Sequence, residues 1–540
     1  MMNRRSVLLC LAVLSLVGCK KSVPQSSGAP GAANPGNLKI LNLGNGAEPQ
    51  DLDPQVVTGV PENKIINALF EGLVAYGPNG QGTVPAAAAS WVISPDGLTY
   101  TFTLQPNGKW SNGDPVTADD FVRSYQRILT PSLIAEYANK LYAVTGAEEF
   151  HQGKLTDFSQ TGFKAIDART LQITLKRRTS FLIESLKHYA WFPIHPKSVE
   201  KFGGLARRGT AWTRVENLVG NGPFTLKEWS MQQRLVVEKS PTYWDRDIVK
   251  VDRLVFFPTE NIETEERMFR TGQLHKTNEL PLDKTDVYRR EQPESLRVDP
   301  LLGIYFFRVN VTRPPLNDKR VRRALALAMN RELIVEKVTR QDQQPAYNAC
   351  PPMELFTSPV RLQGDLAEAK RLLAEAGYPD GKGLRPIELL YNTSQNHKKI
   401  AEALQQMWRV NLGVQVNLVN QEWKVYLDSQ DTLNYDMSRA GWIADYVDPN
   451  TFFDLWRTGD GNNDTGFSSP DYDRMLQEAL NSPNDADRMA IYTKMDALLM
   501  DELPFLPLYF YTRAFALNPA VNLPKNLVET PNWKFVHFKE

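Results

Sequence analysis

In a chain of 540 residues, the feature that most limits the possible folds is how its three cysteines are placed. Cys10 lies inside an apolar leader, Cys19 ends that leader, and Cys350 stands alone. The sequence after the leader therefore offers neither an intramolecular disulfide nor a cysteine cluster for a metal, so packing must supply its stability. Length makes that possible, because a chain of this size divides into several domains of roughly 100–200 residues, each with its own core. A hydrophobic content of 42% with 36 prolines suits an ordered, loop-rich globular protein. Lys+Arg and Asp+Glu both number 62, and no basic tract follows the leader. That balance argues against nucleic acid or anionic headgroups as partners.

The first residues read as an export signal. Arg4 and Arg5 form a short basic region, and Ser6 to Val17 form an apolar run too short to span a bilayer. The run ends in Leu16-Val17-Gly18-Cys19, which resembles the bacterial lipoprotein processing site and makes Cys19 the expected lipidation position. The residues flanking Arg4-Arg5 do not complete a twin-arginine signal, which favours the general secretory route. Residues 20–37 are rich in Ser, Pro, Gly and Ala and read as a flexible tether. Lys20, where an aspartate would signal inner-membrane retention, leaves the membrane of residence open.

Beyond the tether the elements are ordinary α/β pieces. Leu38–Leu43 and Leu98–Leu104 alternate as strands, Ile65 to Gly72 reads as a helix, and Thr117 caps another beginning at Ala118. Residues 320–338 carry one apolar stripe and predict a single helix capped by Asn317 or Asp318; Asp365–Ala376 repeats the device and stops at Gly377. Met329 and Met407 read as core filler. Gly44-Asn45-Gly46 is set aside as a dinucleotide loop because Pro49 replaces the third glycine. No nucleophile elbow, zinc-protease helix, phosphate loop or Cys-x-x-Cys is present. The six histidines lack metal spacing, and His188 and His195 read as structural. Asp460–Asp464 departs from a calcium loop at its sixth and twelfth positions and reads as a solvated turn.

Ser438–Tyr446 is different. As a strand it places Arg439, Gly441, Ile443 and Asp445 on one face: a cation at one end, an anion at the other, and a glycine between them where a second backbone could approach. Such a face suits an extended zwitterion. It equally suits a strand whose charges are solvated or paired elsewhere.

The order of motifs along the chain resembles a known family. Ser94-Pro95-Asp96-Gly97-Leu98-Thr99-Tyr100, Lys109-Trp110-Ser111-Asn112-Gly113 and Pro115 to Val122 look like the signature of the extracytoplasmic solute-binding proteins of peptide and nickel ABC importers. Leu52-Asp53-Pro54, Asn221-Gly222-Pro223-Phe224, Ser240 to Trp244 and Arg320 to Leu325 continue the likeness. Leu372 to Tyr378, Val419 to Lys424 and Arg439 to Trp442 narrow it to the branch binding oligopeptides and murein peptides.

This resemblance implies an α/β, periplasmic-binding-protein-like fold of two lobes with an extra domain, three domains in all, closing on hinges near Leu302-Gly303 and Tyr511-Thr512-Arg513. Expected boundaries are 1–19 for the signal peptide, 20–37 for the tether, 38–70, 197–302 and 513–540 for domain I, 71–196 for domain II, and 303–512 for domain III. It also implies that Asp445 meets a peptide's amino group and that Thr58-Gly59-Val60 and Gly441-Trp442-Ile443 sandwich its backbone. Arg439 and His397 are the implied basic groups at its carboxylate, two further ones being replaced by Gln430 and Thr339. Tyr137, Trp423, Trp442 and Tyr511 are implied to line the cavity or, equally, to be core aromatics. A disulfide that the branch has at the positions of Gly303 and Ile443 is absent.

The expected protein is thus a monomeric receptor for short peptides rather than an enzyme. It needs no cofactor, sits in the periplasmic space on an anchor at Cys19, and serves an ABC permease with its ATPase subunits. A murein-peptide receptor is the near alternative. A nickel or haem importer component is disfavoured by the scattered histidines, and an exported peptidase is the rival from another class.

Overall fold

The computed structural model describes residues 38–539, so the leader of residues 1–19, Cys19 itself and the tether of residues 20–37 lie outside the described residues. Three sheets carry the architecture. The first contains the expected N-terminal strand, Ile40–Gly44, which pairs in parallel with Arg253–Phe257; Arg234–Lys239 and Phe224–Ser230 extend the sheet antiparallel. The second is an antiparallel sheet of Ala88–Ile93, Thr99–Leu104, Thr170–Thr174 and Phe163–Ala165. Alternation explains the placing of Thr99–Leu104, whose Tyr100, Phe102 and Leu104 are buried while its threonines are half exposed. Helix Ala118–Leu129 begins in a capping box, where the Thr117 hydroxyl accepts from the Asp120 N–H and the Asp120 carboxylate accepts from the Thr117 N–H.

The third sheet has six strands in the order Gln344–Pro345, Phe505–Ala516, Leu296–Val309, Met437–Ile443, Ile387–Asn392 and Val416–Gln421. Leu296–Val309 lies between two neighbours, and its run Leu301–Val309 is buried throughout, which explains its near-continuous apolar sequence. Its pairing with Phe505–Ala516 shifts register between Pro300 and Ile304. Gly303 stands directly opposite Ile443; a Cβ on Gly303 would lie 3.0 Å from the Ile443 Cδ1, so side-chain packing occupies the place a crosslink would take.

One expected helix divides. The stripe over residues 320–338 forms helix Lys319–Leu327, capped by Asp318, then Arg331–Leu333, capped by Asn330, and a π-helical turn Ile334–Thr339. The Asn330 side chain accepts from the Leu333 N–H and so starts a new helix where the apolar period runs on unbroken. Met329 sits in the break as buried core. Helix Leu366–Glu375 forms as expected, and Gly377 follows it at φ +95°, a conformation that favours glycine.

Two features of the interior carry ionisable groups. Asp53 and Arg127, each buried to 1% exposure or less at its side chain, form a two-pronged ion pair just ahead of the Thr58–Val60 segment. Cys350 is 1% exposed, and burial pushes its thiol well above the usual range. Among the described residues no helix is long and apolar enough to cross a membrane, and no three His, Cys, Asp or Glu side chains converge to hold a metal.

Candidate binding site

A cavity of about 300 Å³ opens beside the six-stranded sheet, and each of the twelve residues expected at a peptide site lies on its wall. Its volume is that of a small-ligand pocket. One wall is the segment Thr58-Gly59-Val60, which starts helix Val60–Leu69. A Cβ on Gly59 would fall 2.0 Å from the Glu62 carboxylate and 3.0 Å from the Trp423 ring, so only glycine lets these groups close over the segment.

The facing wall is strand Met437–Ile443, where Arg439, Gly441 and Ile443 form the less buried face and Ala440 and Trp442 the buried one, as alternation predicts. Asp445 lies just past the strand's end. Gly441 also makes room within the protein. A Cβ there would lie 2.4 Å from the Tyr511 hydroxyl, so the glycine admits that tyrosine beside the cavity.

At one end of this wall, the half-buried Arg439 donates from Nη2 to the Tyr511 hydroxyl at 2.9 Å and from Nη1 to Asn392 Oδ1 at 3.3 Å, and its guanidinium lies 4.8 Å from the Tyr305 ring centre. It pairs with no carboxylate among the described residues, and its Nε has no hydrogen-bond partner. A cation held in this way is incomplete until an anion joins it. His397 does not share its charge. Burial, then the adjacent Arg439, hold its pKa well below the ordinary value, so the ring is neutral; Nδ1 lies 3.3 Å from the Tyr305 hydroxyl. His397 stands on the cavity wall beside Arg439 as a neutral hydrogen-bonding group. Gln430 also lines the cavity, bound to Ser438, whereas Thr339 is buried behind the wall residue Gln343 and does not line it.

At the other end Asp445 already has partners. Lys140 Nζ lies 2.7 Å from Asp445 Oδ2 and 3.2 Å from Asp454 Oδ2, the Thr451 hydroxyl donates to Oδ2 at 3.2 Å, and His188 Nε2 lies 3.5 Å from Oδ1. Burial lowers the His188 pKa to about 4, leaving it neutral near pH 7. Tyr137, His188, Tyr189 and Trp442 form an aromatic end wall here, with Tyr137 4.6 Å from the His188 ring and 6.4 Å from that of Trp442. The sequence reading missed Lys140, and it took His188 as structural without placing it on the cavity. His195, by contrast, is satisfied by Ser198 and Asp114 away from the site. The turn at Asp460 is only partly solvated: Gly461 is exposed, but Asn139 donates to the half-buried Asp460, and a Cβ on Gly461 would meet the Glu136 backbone at 2.6 Å. Burial, then Asp454, raise the Asp460 carboxyl to about 7.

Known proteins resemble the chain along most of its length. The profile of the family described as Bacterial extracellular solute-binding proteins, family 5 Middle, matches residues 82–464. The periplasmic oligopeptide-binding protein OppA of Escherichia coli is 38% identical over 515 residues, 93% of this chain and 92% of that protein. The structure of the Escherichia coli murein tripeptide binding protein MppA superposes with a TM-score of 0.89 at 34% identity, over 93% of this chain and 99% of its own. MppA in its unliganded open form covers the same 93% of this chain at 34% identity, and 98% of its own, with a TM-score of 0.63. The fold is therefore the mixed α/β, multi-domain fold of the periplasmic binding proteins, arranged here unlike that open form.

Proposed function

Because the chain belongs to the family 5 bacterial extracellular solute-binding proteins, we propose that it captures short peptides in extended conformation and delivers them to an ABC permease and its ATPase subunits. The observation that carries this reading is Arg439, a cation without a carboxylate, standing on an open strand face in the cavity. Arg439 takes the ligand's carboxylate, and Asp445 faces its amino-terminal end. Thr58-Gly59-Val60 and Gly441-Trp442-Ile443 flank the ligand backbone, and Tyr137, Trp423 and Tyr511 offer ring faces to its side chains. The span from residue 439 to residue 445 is about 20 Å at strand rise, which suits a peptide of a few residues.

Closure completes the site. Domain II (71–196) and domain I (38–70, 197–302, 513–540) close against domain III (303–512) about the crossings near Leu302-Gly303 and Tyr511-Thr512-Arg513. The register shift between Pro300 and Ile304 supplies local freedom at the first of these. Ligand that binds the closed form better than the open one drives the equilibrium, and the loss of water strengthens the contact at Arg439. The receptor works as a monomer in the periplasmic space, anchored by lipid at Cys19, and needs neither a catalytic residue nor a cofactor. The match to MppA favours a second ligand, a murein tripeptide.

Mass spectrometry of ligand co-purified with the protein, followed by calorimetry with the peptides found, tests the reading. Micromolar or tighter binding of peptides is expected. A co-purified ligand that is not a peptide, with no heat from any di- to nonapeptide, would overturn it. Stronger competition by a diaminopimelate-containing tripeptide than by ordinary tripeptides would select the murein ligand.

A further inference from the structure

We propose that Lys140 makes this receptor select peptides whose end at Asp445 is an amide rather than a free ammonium, that is, N-acylated peptides. The proposal rests on the peptide-receptor reading and narrows its ligand class.

One oxygen of Asp445 is fully engaged from within the protein. Oδ2 holds the Lys140 ammonium at 2.7 Å and the Thr451 hydroxyl at 3.2 Å. Oδ1 faces His188 Nε2 at 3.5 Å. The tautomer of His188 follows from its other nitrogen: Nδ1 accepts from the Ala190 N–H at 3.2 Å, so the single proton of the neutral ring sits on Nε2, towards Asp445. A ligand ammonium placed on Oδ1 would share one carboxylate with Lys140. The Lys140 nitrogen lies 5.6, 5.8 and 5.5 Å from the ring centres of Tyr137, Trp442 and Tyr446, so little water is at hand to screen the two cations from each other.

Two other carboxyls bear on the balance. Asp454 shares Lys140 and accepts from Asn450, and Asp460 is held by Asn139. Burial raises both carboxyls, Asp460 to about 7. Burial works against the charge on Lys140 too, but Asp445 and Asp454 outweigh it and keep the lysine protonated. An amide avoids the conflict. Its carbonyl can accept a hydrogen bond from the His188 Nε2–H, and its acyl carbon can pack on the rings of Tyr137, Tyr189 and Trp442, which line this end of the cavity.

The test equilibrates purified protein with a lysine-free library of tri- to pentapeptides, half of it N-acetylated, and reads the retained fraction by mass spectrometry. Calorimetry then compares trialanine with N-acetyl-trialanine on the wild type, Lys140→Gln and Lys140→Arg. The expected result is about tenfold or greater preference of the wild type for acetylated ligands. Lys140→Arg should keep this preference and Lys140→Gln should lose or invert it. Equal or tighter binding of free-amino peptides by the wild type overturns the proposal and leaves the peptide-receptor reading standing. Retention of no peptide of either kind overturns that reading, and the proposal with it. Should Lys140→Gln not fold, the wild-type comparison decides alone.

Discussion

Replacing Arg439 with Met gives the most direct test of the site's electrostatics. A peptide carboxylate about 4 Å from the guanidinium gains about 4 kcal/mol at an effective dielectric constant of about 20. Desolvation and the competing contacts to Tyr511 and Asn392 reduce this. Charge-assisted hydrogen bonds contribute about 1.5–3 kcal/mol net, so about 2–3 kcal/mol should remain, a loss of about 30- to 150-fold in affinity. The assay is a double-mutant cycle by calorimetry: wild type and Arg439→Met, each with a peptide acid and its C-terminal amide. The wild type should lose most of its affinity on amidation, and the variant should scarcely distinguish the two ligands. Without ligand, Arg439 has no carboxylate to lose, so the stability of the unliganded protein should stay within about 1 kcal/mol of wild type, or about 2–4 °C in melting temperature. A coupling energy below about 0.5 kcal/mol, within the error of additivity, would refute the assignment.

Three other outcomes follow from the packing and the charges. Gly441→Ala drives a methyl into the Tyr511 hydroxyl; it should cost about 1–3 kcal/mol of stability and weaken peptide binding, and an unshifted melting curve would contradict it. Asp53→Asn leaves the buried Arg127 without its ion-pair partner, so denaturant titration should show a loss of about 3–5 kcal/mol; a loss below about 1 kcal/mol would mean the pair is not needed. Burial, then the nearby Asp431, raise the Glu136 carboxyl to about 8. The folded state therefore keeps a proton the unfolded chain has lost, and this group's contribution to stability falls as pH rises from about 4.5 through 8. Glu136→Gln should make the drop in melting temperature between pH 5 and pH 8 smaller than in the wild type; an unchanged drop rejects the shift.

Much of the site could be read in the chain because its signals are local. The alternation of Arg439, Gly441 and Ile443 needs only a period of two, and the strand forms with these residues on its less buried face. Capping at Thr117 and the turn at Gly377 are equally local. Lys140 was invisible for the opposite reason: nothing beside it in sequence marks the Asp445 and Asp454 carboxylates that the fold brings to it. The polar turn at Asp460 looked fully solvated because composition does not report what packs on a loop, and here the segment from Glu136 to Asn139 covers part of it. The helix predicted over 320–338 failed at Asn330, where a capping side chain outweighed an unbroken apolar period.

The buried thiol of Cys350 has a practical consequence for watching this protein move. Alkylation requires a thiolate that a reagent can reach, and Cys350 offers neither the ionisation nor the access. Within the described residues the chain is therefore chemically silent towards maleimides. Exposed positions such as Lys164 and Lys398 can be exchanged for cysteine and given a dye each. The separation of the two dyes would then test the proposed closure in solution, molecule by molecule, with no background label on Cys350 to subtract.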